Sequence, residues 1–373
     1  MANPYPNRSK IGNGRFRNRV NSSPFFVSLL FLENRIRRIT LKGFDFEEER
    51  IKREIGKLGA KRVLLQFPEG LKPEGPRLAS LVEKAGALPI IAGDPCYGAC
   101  DIATAEAESL GVDLILHFGH SRMMKHEKVP TVYIEARATV TIDEAIQKAL
   151  SFLASFKTMG LVTTVQHIQT LDQAREMLIR AGKTVVVGDA GRAVYSGQVT
   201  GCEYGNAKSV ANEVDAFLFI GGGQFHALGI HLATSKPTIV ADPYTNSAFV
   251  IDSVAQKTIK QRWAYIEEAL KAKSFGIIVG LKPGQSRLDE ALKIKELVEK
   301  NKRVGYLFAV RELSPEVLLE FPTVDVYVNT ACPRISLEAP AKFSKPVLTK
   351  SELKVVFGED SWENLLRRGL FEN

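Results

Sequence analysis

The chain has 373 residues, 45% hydrophobic and 25% charged, an ordinary globular balance with length for more than one core. Its four cysteines are too few for a disulfide scaffold, and no run approaches the ~18 apolar residues of a membrane-spanning helix. The net charge of +8 points towards nucleic acid only until its distribution is read: residues 1–42 carry nine Lys/Arg against Glu33 alone, and the remainder is neutral.

Taken in order, the chain opens on a basic arm, residues 1–44. Met1 to Arg19 is rich in Asn, Arg, Gly and Pro, a composition that disfavours a packed core. Pro24 to Leu32 is a short apolar run behind basic residues, partly like a secretory signal. No small-residue cleavage site follows it, and Glu33-Asn34-Arg35 comes next. The expectation is a flexible extension on a cytoplasmic body, and sparse cysteine use fits a reducing interior.

From Phe46 a pattern starts that recurs twice. In the first copy, residues 45–138, helices are predicted over 46–58, 75–84 and 102–110, with strands at 62–67, 88–92, 113–118 and 130–135. In the second, residues 139–254, helices are predicted over 142–152 and 171–180, with strands at 159–165, 183–188, 215–220 and 236–242. The third, residues 255–373, repeats the plan with helices over 261–270 and 288–300. Its strands are at 275–280, 303–308, 325–329 and 345–349, and the tail is helical or loose. Val129-Pro130-Thr131-Val132, Lys236-Pro237-Thr238-Ile239-Val240 and Lys345-Pro346-Val347-Leu348 mark the last strand each time. Alternating strands and helices imply parallel sheets with right-handed crossovers. The predicted fold is therefore α/β, a triplication of one small parallel-sheet domain around a central cluster.

The cysteines fall at related places in this repeat. Cys100 lies 13 residues before the strand-opening Asp113, and Cys202 lies 13 before Asp215. Cys332 lies seven after Asp325, where the first copy has His120 and the second Gly222. All three occupy loops beyond strand ends, where open α/β sheets place their chemistry. Three unrelated buried cysteines would be the ordinary alternative. The small flanking residues Gly98-Ala99, Gly201 and Ala331 favour ligation instead, because they let backbone approach a cluster. Cys96 has no copy in the second unit and is read as structural. Zinc sites favour four closed ligands, often as C-x-x-C pairs, and none is present. A 4Fe-4S cluster usually takes four cysteines, so three would leave one iron open to substrate. His120 and His226 could supply a fourth ligand, although a lone histidine is more often satisfied locally.

Tyr97-Gly98-Ala99-Cys100-Asp101, Ser196-Gly197-Gln198-Val199-Thr200-Gly201-Cys202 and Asn329-Thr330-Ala331-Cys332-Pro333-Arg334 resemble the three cysteine motifs of a known family. It is the archaeal diphthamide-biosynthesis family of 2-(3-amino-3-carboxypropyl)histidine synthases. Gln66-Phe67-Pro68-Glu69-Gly70-Leu71 and Gly280-Leu281-Lys282-Pro283-Gly284-Gln285 are similar to it too. The resemblance covers roughly residues 45–355 and leaves the basic arm unexplained. It implies a non-classical radical S-adenosylmethionine enzyme, with Cys100, Cys202 and Cys332 carrying a 4Fe-4S cluster. The fourth iron would engage S-adenosylmethionine, whose reductive cleavage gives methylthioadenosine and a 3-amino-3-carboxypropyl radical. That group would pass to a histidine of translation elongation factor 2. A homodimer and an electron donor are implied; a membrane or direct nucleic-acid partner is not. Ala103 stands where the C-x-x-x-C-x-x-C loop of ordinary radical enzymes would have its third cysteine. Gln66, Gln166 and Gln285, at or just past matching first-strand ends, are candidate contacts to S-adenosylmethionine; as a plainer reading, they are turn formers.

Two rival readings stand beside this one. Quinolinate synthase similarly combines repeated α/β units with a three-cysteine cluster, for a condensation. A zinc-stabilised protein gripping RNA through its basic arm is the non-enzymatic alternative.

Overall fold

The computed structural model describes residues 43–338 and 343–371, so the expected basic arm lies outside the described residues up to position 42. Fifteen strands are present among them. β1 (Phe44–Asp45), β2 (Arg62–Gln66), β3 (Leu88–Ile91), β4 (Leu114–Phe118), β5 (Thr131–Ile134) and β6 (Arg137–Ala138) belong to the first part of the chain. β7 (Thr158–Thr163), β8 (Thr184–Val186), β9 (Ala216–Ile220), β10 (Thr238–Asp242) and β11 (Ser247–Val250) follow. β12 (Ser274–Gly280), β13 (Val304–Val310), β14 (Val326–Asn329) and β15 (Val347–Leu348) complete the set.

They form three main sheets with one strand order. The orders are β3-β2-β4-β5, β8-β7-β9-β10 and β13-β12-β14-β15, every pair parallel. The second sheet adds β11 antiparallel to β10, and β1 pairs with β6 as a separate two-stranded ribbon. Strands β4, β9, β10 and β14 are buried along their whole length, which is why they read as unbroken apolar runs.

Each first strand runs through a short 3-10 turn (69–74, 165–170 or 283–285) into a helix whose apolar positions fall on one face. Leu78, Leu81 and Val82 are buried in Gly75–Lys84; Leu171, Ala174 and Leu178 in Leu171–Arg180; Ala291, Ile294 and Val298 in Leu288–Lys300. These spacings of three, four and seven produce the amphipathic face that covers the sheet.

One polar device recurs in every sheet. The Asp113 carboxylate accepts the backbone N–H groups of Lys61 and Arg62 at 2.7 and 2.8 Å, fixing the start of β2. Asp215 takes those of Lys157 and Thr158 at 2.9 and 2.8 Å, and Asp325 those of Lys273 and Ser274 at 2.8 and 2.9 Å. The aspartate that opens the third strand thus aligns it with the first. A second device is shared by two sheets. Gly160 lies beneath the Phe217 ring and Gly276 beneath Tyr327, where an added Cβ would come within 2.3 and 2.5 Å of ring carbons.

The predicted helices over 75–84, 171–180 and 288–300 have the observed limits. The helix expected over 261–270 is longer, Asp252–Ala269. The tail forms two helices, Lys350–Val356 and Trp362–Arg368. Buried Arg262 on the long helix joins tail to body: its Nε donates to Glu352 Oε1 at 2.7 Å and its Nη1 to the Ser336 carbonyl at 2.7 Å. Among the described residues no helix is long and apolar enough to cross a membrane.

A three-cysteine candidate metal centre

Cys100 sits in the loop between β3 and the helix Thr104–Leu110, and a turn of the third sheet presses against it. The Gly284 N–H donates to the Cys100 carbonyl at 2.8 Å, and a Cβ on Gly284 would lie 2.5 Å from that of Cys100. Only glycine allows this approach. The Gln285 amide Nε2–H donates to Cys100 Sγ at 3.4 Å. Next door, Lys282 Nζ bridges Asp101 Oδ2 and Glu312 Oε2, both at 2.9 Å, and lies 4.3 Å from the centre of the Tyr97 ring. Tyr97 OH donates to Glu312 at 2.9 Å. Asp101 and Lys282 are both buried, so this latch holds the first cysteine loop on the third sheet.

Cys332 follows β14. Asn329 shapes its turn by donating Nδ2–H to the Cys332 carbonyl at 2.6 Å while accepting the Ala331 N–H at 2.9 Å. The Arg334 guanidinium then reaches over the Phe225 ring, 3.2 Å from its centre. It also covers Gly201, where a Cβ would meet Arg334 Cδ at 2.8 Å. The third cysteine loop thereby packs on the second. The second in turn packs on the first, through Gln198 Nε2 donating to Ser121 Oγ at 2.7 Å.

The three thiols share one region. Burial raises Cys202 above the ordinary thiol range, and the nearby Cys100 sulfur adds to the shift. Burial pushes Cys332 up to about 12, with Cys100 and Cys202 both contributing. Cys100 is also raised by burial, against the Gln285 hydrogen bond, which lowers it. All four cysteines are free thiols.

Around them lie groups that the sequence reading did not assemble. Cys96 is buried, and its ligand atom and those of His117 and His120 lie within 4.8 Å of one another. His117 Nδ1 is 2.9 Å from Gln66 Oε1, and its Nε2 is 3.0 Å from His120 Nδ1. His120 and His226 keep partly accessible edges, yet the atoms packed around each ring dominate. Burial lowers His120 to about 4 and His226 to about 3, with the Arg334 charge pushing the same way. Both rings are neutral at pH 7.

The three candidate glutamines have different surroundings. Gln285 alone touches a cysteine sulfur. Gln66 closes β2 and holds the Cys100 loop from beneath, donating to the Asp101 carbonyl at 2.6 Å and accepting the Ala103 N–H at 3.1 Å. Gln166 ties β7's outgoing turn to the first sheet, donating to the Gly119 carbonyl at 2.7 Å.

Fold and site together define an α/β protein whose three like-ordered sheets each bring one cysteine loop against the others. The chain belongs to the diphthamide-synthesis family: the family described as "Putative diphthamide synthesis protein" matches residues 67–366. It is 39% identical over 316 residues to the 2-(3-amino-3-carboxypropyl)histidine synthase of Pyrococcus horikoshii, covering 84% of this chain and 91% of that one. Identity to subunit 1 of the Homo sapiens synthase is 29% over 370 residues, covering 96% and 81%. The crystal structure of Dph2 from Pyrococcus horikoshii with a 4Fe-4S cluster superposes with a TM-score of 0.79 at 38% identity, covering 86% of this chain and 92% of that one.

Proposed function

We propose that this chain transfers the 3-amino-3-carboxypropyl group of S-adenosylmethionine to a histidine of translation elongation factor 2, the first step of diphthamide synthesis. Cys100, Cys202 and Cys332 would hold a 4Fe-4S cluster. The observation that carries this reading is that the loops of Cys100, Cys202 and Cys332, from three sheets, pack on one another, with all three thiols half-buried and free. The donor set fits the group. Three free thiols are offered by neighbouring loops, and Gly201 and Gly284 let those loops close up, on Arg334 and on Cys100. When bound, such a cluster supplies a low-potential electron and, with three cysteine ligands, an iron open to the sulfonium substrate.

The chain's own residues give that centre its setting. Gln285 donates a hydrogen bond to the Cys100 sulfur, which favours the thiolate. The Asp101–Lys282–Glu312 latch fixes the Cys100 loop without placing a net cation on it. His120 and His226 are neutral at pH 7, so Arg334 is the fixed positive charge beside Cys332. A guanidinium there suits the carboxylate of the amino-carboxypropyl group. Gln66 and Gln166 act on this reading by holding loops. Free cysteines suit a reducing cytoplasm, where a homodimer and a separate electron donor complete the proposal. The family membership favours this over the quinolinate synthase reading.

The test is anaerobic incubation with S-adenosylmethionine, dithionite and purified elongation factor 2. The expected products are methylthioadenosine and a factor carrying one added group on a single histidine. A factor unchanged in mass, with the cluster intact, would overturn the proposal.

A further inference from the structure

A further set of metal-ligating side chains converges in the first sheet, and it includes none of the three cysteines assigned above. The Cys96 sulfur and one ring nitrogen each of His117 and His120 lie within 4.8 Å of one another. Cys96 is on the loop that leaves β3, His117 is in β4, and His120 is on the loop that leaves β4. Cys96 and His117 are buried, and His120 is half-buried. Seven residues after Asp113, His120 also holds the place that Cys332 holds seven after Asp325.

Hydrogen bonds set which atoms can ligate. The Gln66 amide has a fixed orientation, since its Nε2 donates to the Asp101 carbonyl at 2.6 Å and its Oε1 accepts the Ala103 N–H at 3.1 Å. Gln66 Oε1 lies 2.9 Å from His117 Nδ1 and can only accept, so Nδ1 carries the proton and Nε2 the lone pair. That lone pair faces His120 Nδ1 at 3.0 Å. A carbonyl oxygen holding one ring N–H, with the other nitrogen left to ligate, is the usual support of a metal-bound histidine. On the third donor, the Gly98 backbone N–H bonds to the Cys96 sulfur and favours its thiolate.

Size and donor type select the ion. Tetrahedral zinc, with Zn–N ~2.0–2.1 Å and Zn–S ~2.3 Å, spaces its ligand atoms roughly 3.3–3.6 Å apart. The two ring nitrogens stand slightly closer than that, and no pair in the set is farther apart than 4.8 Å. Thiolate with imidazole suits zinc, whereas magnesium and calcium take oxygen ligands. We propose that Cys96, His117 and His120 form a second metal site, which binds one zinc ion. Zinc displaces the Cys96 proton to solvent, and three protein ligands leave the fourth position to water. The ion fastens the loop leaving β3, four residues short of Cys100, to the end of β4.

The experiment is metal analysis and zinc-edge X-ray absorption on the full-length, cluster-loaded chain after exposure to zinc and dialysis. About one zinc per chain is expected beside the iron, with one sulfur and two nitrogens around it. Cys96→Ala and His120→Ala should each lower zinc affinity about a hundredfold or more, against the ~10–100-fold cost of losing a supporting partner, with iron and sulfide unchanged. A parent that retains no zinc overturns the proposal, and that result needs no variant to fold. Zinc ringed by three or more sulfurs overturns it too, because the ion would then sit on Cys100, Cys202 and Cys332. Iron lost in place of zinc from Cys96→Ala or His120→Ala would make these residues ligands of the cluster and likewise overturn it. A parent without iron or sulfide that still holds zinc on one sulfur and two nitrogens sinks the three-cysteine reading and leaves this site standing.

Discussion

Four thiols distinguish this chain, and their surroundings assign them different work. Cys100, Cys202 and Cys332 lie on loops that touch one another, whereas Cys96 is buried against His117 and His120. Replacing any of the first three by alanine should abolish iron–sulfur absorbance and turnover. Cys96→Ala should keep the absorbance, and its loss there would place Cys96 in the ligand set. Gln285 provides a subtler test. Its N–H donates to the Cys100 sulfur, and hydrogen bonds to sulfur stabilise the more negative, reduced cluster. Gln285→Ala should therefore shift the reduction potential downward in a redox titration, with cluster content unchanged. An unaltered potential would make that contact merely structural.

At the scale of strands and helices, Asp113, Asp215 and Asp325 help explain why three sheets share one strand order. Each carboxylate is held below the ordinary range, with a backbone N–H hydrogen bond as the leading cause: from Arg62, Thr158 and Lys273 respectively. A folded-state value below the unfolded one contributes stability above the unfolded value, near pH 4, that is lost as pH falls through the folded value. Stability should accordingly drop with acidification below about pH 4, and an Asp113→Ala variant should show a flatter acid limb in pH-dependent melting. An unchanged limb would mean that the clamp does not act. Gly276→Ala should cost about 1–3 kcal/mol, because the Tyr327 ring fills the space an added methyl needs. Denaturant unfolding measures that directly.

These elements were unequally legible. Strands buried on both faces appear as apolar runs, and the helices after each 3-10 turn have a clear apolar stripe. The helix Phe225–Thr234 escaped because seven of its ten residues are buried, leaving no amphipathic period to read. Strand β11 escaped because its four residues are mostly half-exposed and it runs antiparallel, outside the repeated pattern.

For the whole molecule, a few buried polar links tie distant segments together. Lys282 reaches Asp101 across 181 positions, and Arg262 reaches Glu352 across 90. Breaking a buried pair leaves an uncompensated charge, so Glu352→Ala should cost about 3–5 kcal/mol in denaturant unfolding. A cost near zero would show that Arg262 finds other partners. Such links depend on how finished sheets pack, and no local pattern announces them. The same limit applies to Arg334 over Phe225 and to the cluster of Cys96 with two histidines. The packing of the three cysteine loops on one another was more readable, because repeat positions placed them at corresponding ends of like-ordered sheets.

Whether these thiols hold one iron–sulfur cluster is measured most directly as iron and acid-labile sulfide per chain after anaerobic preparation. About four of each are expected in the parent protein. Both should be lost in the Cys100→Ala, Cys202→Ala and Cys332→Ala variants. Stoichiometric zinc without sulfide in the parent, or a full complement in any of the three variants, would contradict it.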